Sequence, residues 1–151
     1  MAEPVPKIPL AGKPNTGKSS LFNQLTGLNQ KIGNFPGVTV DKRSGFCQLS
    51  EKNTVEIIDL PGAYSLYPRT LDEQIVTELF NNKQNQDFPD RVVLIADATN
   101  LKNCFLLLSQ LIDLGIPVIL AINMIDLAAK AGQSIDIKKL EDELDIPVVM
   151  V

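Results

Sequence analysis

Residues 12–19 read G-K-P-N-T-G-K-S, from Gly12 to Ser19, and this stretch decides the fold. It fits the phosphate-loop pattern G-x-x-x-x-G-K-[ST], which carries meaning between a strand and a helix. Ile8–Ala11 before it is apolar. Ser19–Thr26 after it has helical spacing, with Leu21, Phe22 and Leu25 on one face. Glycine lets the backbone wrap close to an anion, so that successive N–H groups form a nest. The positive end of the following helix adds attraction. The residues set to hold phosphate are Gly12, Asn15, Thr16, Gly17, Lys18, Ser19 and Ser20. Lys18 reaches the β- and γ-phosphates in this reading, and the Ser19 hydroxyl ligates Mg²⁺.

Working outward, the chain alternates strands with helices. Lys7–Ala11 reads as the first strand, and Gly27 stops the helix after it. Leu28–Asp41 has no period and contains Gly33, Pro36 and Gly37, which predicts a loop. Lys42–Leu49 and Thr54–Leu60 form an expected antiparallel hairpin turned by Ser50–Asn53. Pro61–Thr70 is expected as loop, Leu71–Asn82 as helix, and the polar stretch Asn81–Asp90 as a surface connection. Arg91–Ala98 and Ile116–Ile122 are nearly continuous apolar runs, suited to strands covered on both faces. Between them Leu101, Cys104, Phe105, Leu108, Leu111 and Ile112 have helical spacing. Ile137, Leu140 and Leu144 mark another helix, capped by Ser134 or Asp136, and Ile146–Val151 a last strand. Met1–Pro6 is expected to be a mobile lead-in. The pattern predicts an α/β fold: a mostly parallel sheet, helices on both faces, and one antiparallel hairpin.

Composition limits the function classes. The chain has 151 residues, 44% apolar and 21% charged, enough for one globular domain. Its net charge is −4 and it has no block of like charge, which argues against nonspecific nucleic-acid binding. It has no histidine, so the commonest general base and zinc ligand are missing. Cys47 and Cys104 lie far apart and read as small buried residues in a reducing compartment. No run reaches the roughly 18 apolar residues of a membrane span, and no signal-peptide pattern opens the chain. The segment is therefore expected to be soluble and cytosolic.

Three further stretches narrow the phosphate chemistry. D-L-P-G, Asp59 to Gly62, ends a predicted strand: its carboxylate can hold Mg²⁺ through water, and the Gly62 N–H can meet a γ-phosphate. N-M-I-D, Asn123 to Asp126, follows an apolar strand. Asp126 can accept two hydrogen bonds from the guanine N1–H and N2 amine, a donor pair adenine lacks. Asn123 ties base and phosphate loop together, and the Met124 stem covers the base. G-N-F-P-G-V-T-V, Gly33 to Val40, sits in the predicted loop. There Thr39 can give its hydroxyl to Mg²⁺ and its N–H to the γ-phosphate, with Gly37 and Val38 as neighbouring contacts. Phe35, Pro36 and Val38 also suit plain core anchors.

With these motifs in order, the chain resembles a small GTPase of the P-loop NTPase class, with a Ras-like G domain. More narrowly it resembles the cytosolic G domain of the ferrous-iron transport protein B family. The residues carrying the likeness are G-K-P-N-T-G-K-S at 12–19, L-F-N-Q-L-T-G at 21–27 and G-N-F-P-G-V-T-V at 33–40. They continue with D-L-P-G-A-Y-S-L at 59–66, D-E at 72–73 and N-M-I-D at 123–126. The resemblance implies a domain over residues 1–151 that binds GTP or GDP with Mg²⁺ and hydrolyses GTP. It implies a parent protein with a helical and a multi-pass membrane domain, able to oligomerise through the membrane part. The G domain would then lie at the cytoplasmic face of the cell membrane and be tied to Fe²⁺ uptake. By the family's pattern, the last base-contacting loop and final helix would follow Val151.

Lys18, Thr39 and Gly62 are the candidate catalytic residues for attack of water on the γ-phosphate. Ser19, Thr39 and Asp59 are the candidate Mg²⁺ ligands. The resemblance makes Asn15 a candidate K⁺ ligand, with a loop-bracing amide as the alternative. No glutamine follows D-L-P-G; Ala63 and Tyr64 stand there. Water would be oriented by backbone or by the Thr39 stretch, and turnover should fall below about 10 s⁻¹. Two other classes stay open: a ribosome-assembly GTPase of the Era or Der kind, and a nucleotide-sensing module without hydrolysis.

Overall fold

Alternation along the strands sends the chain's apolar side chains to two faces of one sheet. Leu10, Ile57, Ile95 and Ala121 pack with Phe22 on one face. Their neighbours Ala11, Ile58, Leu94 and Leu120 join the larger cluster on the other. The computed structural model describes residues 4–151. Of the expected N-terminal lead-in, Met1–Glu3 lie outside the described residues.

The strands are β1 Lys7–Ala11, β2 Gln30–Asn34, β3 Asp41–Gln48, β4 Thr54–Asp59, β5 Val92–Asp97, β6 Val118–Asn123 and β7 Val148–Met150. The helices are α1 Lys18–Thr26, α2 Leu71–Asn81, α3 Phe105–Asp113, α4 Ile125–Lys130 and α5 Ile137–Leu144. The sheet order is β2-β3-β4-β1-β5-β6-β7. β4, β1, β5, β6 and β7 run parallel. The phosphate loop follows β1, D-L-P-G spans the end of β4, and N-M-I-D spans the end of β6. Parallel pairing therefore brings all three to one edge of the sheet, where open α/β sheets bind ligands.

α1 covers the first face. Phe22 is completely buried there, a contribution of about 1.5–3 kcal/mol. Gly27 ends this helix, its N–H donating to Asn23 O at 2.9 Å. α2 and α3 supply Val76, Leu79, Phe80, Leu107, Leu108 and Leu111 to the other cluster. α2 starts at Thr70, whose hydroxyl oxygen accepts from Glu73 N at 3.2 Å, and Asp136 caps α5 by accepting from Lys139 N at 3.1 Å. Among the described residues no helix is long and apolar enough to cross a membrane.

Four segments differ from the sequence expectation. Leu28–Asp41 is not all loop: Gln30–Asn34 adds β2 to the sheet edge, antiparallel to β3. The strand has no apolar period because four of its five residues are exposed. The helix spaced from Leu101 opens as a 3₁₀ segment, Ala98–Cys104, interrupted by Asn100 at φ −146° and ψ 53°. α4 follows the Asn123–Asp126 motif directly and is too short to show a period. The polar connection Asn81–Asp90 is not wholly superficial. Asp87 is 1% exposed and pairs with Lys7 Nζ at 3.0 Å and with Lys42 Nζ. Lys7 and Lys42 both lie on the face opposite α1, so one buried carboxylate ties β1 to β3. Cys47 and Cys104 are buried thiols, as expected; burial pushes the Cys104 pKa up to about 11.

Candidate nucleotide site

The phosphate loop leaves β1 and enters α1 through Gly17, whose φ is 95°. A Cβ there would lie 2.3 Å from Nδ2 of Asn123, so glycine is required by both dihedral and space. That amide donates to Thr16 O at 3.1 Å, and its Oδ1 accepts from Met124 N at 2.8 Å. Asn123 thus joins the end of β6 to the phosphate loop, across a sequence separation of 107 residues. Met124 takes a left-handed conformation, φ 64°, and opens α4. Asp126 stands exposed in the first turn of that helix.

Lys18 is the first residue of α1 and is only 8% exposed. Its ammonium has one long protein contact, to Lys13 O at 3.4 Å. Desolvation lowers its pKa, and the charge of Asp59 offsets this only in part. The next residue, Ser19, donates from Oγ to Asp59 Oδ2 at 3.0 Å. Asp59 Oδ1 is buried without a partner. A hydroxyl and a carboxylate held together are hard donors suited to Mg²⁺, which commonly takes one or two carboxylates plus substrate phosphates. The residues fit the ion.

An open cleft runs beside this pair. Its lining includes Pro14, Asn15, Lys18, Ser19, Val40, Asp59, Gly62 and Asp72 from the quoted stretches, and Asp41 and Arg43 from β3. Asn15 is exposed, at φ 64°. Gly62 presses on the phosphate loop so closely that a Cβ would lie 2.5 Å from Pro14 Cγ. Ala63 N then donates to Gly12 O at 2.9 Å, and the Lys13 ammonium lies 5.0 Å from the Tyr64 ring centre. The same stretch is held from α3, where Gln110 Oε1 accepts from Leu66 N at 2.7 Å.

The Gly33–Val40 stretch finishes β2 at Asn34 and then folds into a turn. Phe35 is buried; its N–H donates to Val40 O at 3.1 Å, and its carbonyl accepts from Val38 N at 3.3 Å. Gly37 turns the chain at φ 77°. Val38 packs on the core, as a core anchor would. Thr39 is exposed and outside the cleft lining, which Val40 and Asp41 form instead. Ser20 is also exposed, one residue further along α1. Pro14, Arg43 and Gln110 went unnoticed in the sequence. Only Arg43 has a signal there: the hairpin register sets it opposite Asp59.

Residues 6–151 match the family model described as Ferrous iron transport protein B. The Fe(2+) transporter FeoB of Leptospira biflexa is 43% identical over 145 residues, which are 95% of this chain and 20% of that protein. The chain spans about a fifth of the length of the curated relatives it matches. The G domain of the T. maritima FeoB iron transporter superposes with a TM-score of 0.85 at 41% identity, covering 98% of this chain and 87% of that one. The cytosolic domain of the same transporter in its GMPPNP form gives 0.87 at 42%, covering 97% and 56%. Sheet order, phosphate loop and these matches agree: the chain belongs to the ferrous iron transport protein B family, as its N-terminal G domain.

Proposed function

We propose that this domain binds GTP with Mg²⁺, hydrolyses it to GDP and phosphate, and through its nucleotide state gates or drives ferrous-iron uptake by a membrane domain of a longer protein. The observation that carries the reading is the buried Lys18 ammonium beside the Ser19–Asp59 pair, with Asn123 bonded to the phosphate loop. The GMPPNP form of the T. maritima domain supports it. A helical domain would link the G domain to the membrane part, with the G domain on the cytoplasmic side.

Phosphoryl transfer asks the protein mostly for positioning and charge. Water attacks the γ-phosphorus as the bond to the β–γ bridging oxygen breaks. Lys18 and the N–H groups of the phosphate loop, Gly12 to Ser19, hold the phosphate oxygens. Ser19, Asp59 and Thr39 would hold Mg²⁺, which supplies charge neutralisation when bound. Gly62 N–H and Thr39 N–H face the γ-phosphate in this reading, so both need the loops to close. Asn15 is the candidate K⁺ ligand, its exposed amide lining the cleft. Gly37, Val38 and Ser20 flank these contacts.

Single-turnover phosphate release from Mg²⁺–GTP, in K⁺ and in Na⁺ buffers, tests the proposal. Release should exceed that of buffer alone, stay under about 10 s⁻¹, and be faster in K⁺. GTP binding without release in either salt would leave a nucleotide sensor that does not hydrolyse.

Base choice is expected to rest on Asp126, with Asn123 and Met124 at its side. Asp126→Asn swaps an acceptor for a donor facing guanine N1–H. Preference should move from GTP toward XTP by about 1–3 kcal/mol. Equal GTP affinity of wild type and variant by titration calorimetry would remove N-M-I-D from the base site.

A further inference from the structure

Among the described residues, two buried side-chain polar atoms lack a hydrogen-bond partner: Nε of Arg43 and Oδ1 of Asp59. One is a donor and the other an acceptor. They belong to residues directly opposite each other in the β3–β4 ladder. Cross-strand partners project to the same face of a sheet, and here that face is the one α1 covers. Contacts one turn apart on α1 agree with this. Asp59 accepts from Ser19, and the Arg43 guanidinium lies 5.8 Å from the Phe22 ring centre. Asp59 is also divided by atom: Oδ2 is engaged by Ser19, and Oδ1 is the unsatisfied one.

We propose that Arg43 is the positioning residue of the Asp59 carboxylate: Nε and Oδ1 do not pair with each other in this structure, and with Mg²⁺ bound a shift of these side chains lets Nε–H donate to Oδ1 and keeps Oδ2 beside Ser19. The inference rests on the nucleotide reading above. The far end of the guanidinium is already fixed, because Nη2 donates to Gln30 Oε1 at 3.3 Å. Gln30 in turn donates to Asn23 Oδ1 at 2.9 Å and to Thr26 Oγ1 at 3.1 Å. Arg43 is therefore held from β2 beside the Phe22 ring, with Nε free to turn to its cross-strand neighbour Asp59. A planar fork can serve both ends at once; a lysine ammonium on a flexible stem cannot reproduce that geometry. A donor behind a ligating carboxylate fixes its orientation, and losing such a partner commonly costs 10–100-fold in metal affinity.

The test uses fluorescent N-methylanthraniloyl-GDP and needs no turnover. Affinity is measured in EDTA and along a Mg²⁺ titration, for wild type, Arg43→Met and Arg43→Lys. Methionine keeps the apolar stem over Phe22 and removes the donor. The Mg²⁺ concentration at half-effect should rise about tenfold in Arg43→Met, with affinity in EDTA within about twofold of wild type, the scatter expected of context. Arg43→Lys, which keeps stem and charge and so tolerates the site even if methionine misfolds, should shift the same way by less. An unmoved Mg²⁺ midpoint in the folded lysine variant overturns the proposal. A parallel loss of affinity with and without Mg²⁺ also overturns it, by making Arg43 a direct phosphate contact. Failure of wild type to bind the labelled GDP would instead reject the nucleotide reading itself.

Discussion

Lys18→Met lowers nucleotide affinity by about thirtyfold to several-thousandfold and leaves the nucleotide-free domain at least as stable as wild type. The two effects have opposite signs because the ammonium is buried before any phosphate arrives. Lys18 is 8% exposed and has one weak acceptor, Lys13 O at 3.4 Å. Its lowered pKa shows desolvation outweighing the attraction of Asp59. Such a lysine binds fewer protons folded than unfolded, so stability rises with pH as pH climbs from the folded pKa toward about 10.4. The burial penalty falls on the charged form, and methionine removes it while filling the same space. On the nucleotide side, truncating one partner of a buried charge pair costs about 2–5 kcal/mol, the range stated above at 1.4 kcal/mol per tenfold. Titration with labelled GDP and urea unfolding measure the two halves separately. Undiminished affinity would refute the phosphate-loop assignment. A lower urea midpoint would make Lys18 a structural brace.

Asp87→Ala should destabilise the fold by about 3 kcal/mol, the lower end of the cost of breaking a buried ion pair. The lower end applies because the lysines can swing outward: Lys7 and Lys42 are 27% and 15% exposed, against 1% for Asp87. At this chain length the loss corresponds to roughly 6–12 °C in melting temperature. The carboxyl also sets a pH signature. Burial is the largest influence and opposes ionisation, but hydrogen bonds from Lys42 and Lys7, with their charges, outweigh it and hold the pKa below the ordinary value. The stabilisation is present above the unfolded pKa, about 3.9, and is lost as pH falls through the lower folded value. The gap between wild type and variant should thus be full at pH 7 and close in stronger acid. Urea midpoints across that range check it. A gap independent of pH would mean that the alanine acts through packing rather than charge.

The placement of these two residues shows where reading the chain succeeds and where it stops. Lys18 was legible because a phosphate loop is a local device: eight consecutive residues set the backbone path, the helix start and the lysine together. The hairpin was legible for the same reason, its turn at Ser50–Asn53 being close to both strands. Short apolar runs predicted β1, β5 and β6, and the hairpin reading β4, to within a few residues. Asp87 looked like part of a polar surface stretch. Its burial depends on Lys7 and Lys42, which are 80 and 45 residues away, and no local pattern reports such a meeting.

The same distinction separates the halves of the candidate site. By itself the sequence determined the fold class and the candidate phosphate and base motifs in their order, because each is written in short-range spacing and side-chain chemistry. Only the tertiary structure decided that β2 forms at the edge, since an exposed strand carries no apolar period and exists through its ladder to β3. Only it placed Val40 and Asp41, rather than Thr39, along the cleft, because the buried Phe35 sets that turn. It also set Arg43 Nε and Asp59 Oδ1 on one face without partners. Register alone allows that juxtaposition; the packing of α1 over both residues, through Ser19 and Phe22, makes it a buried one.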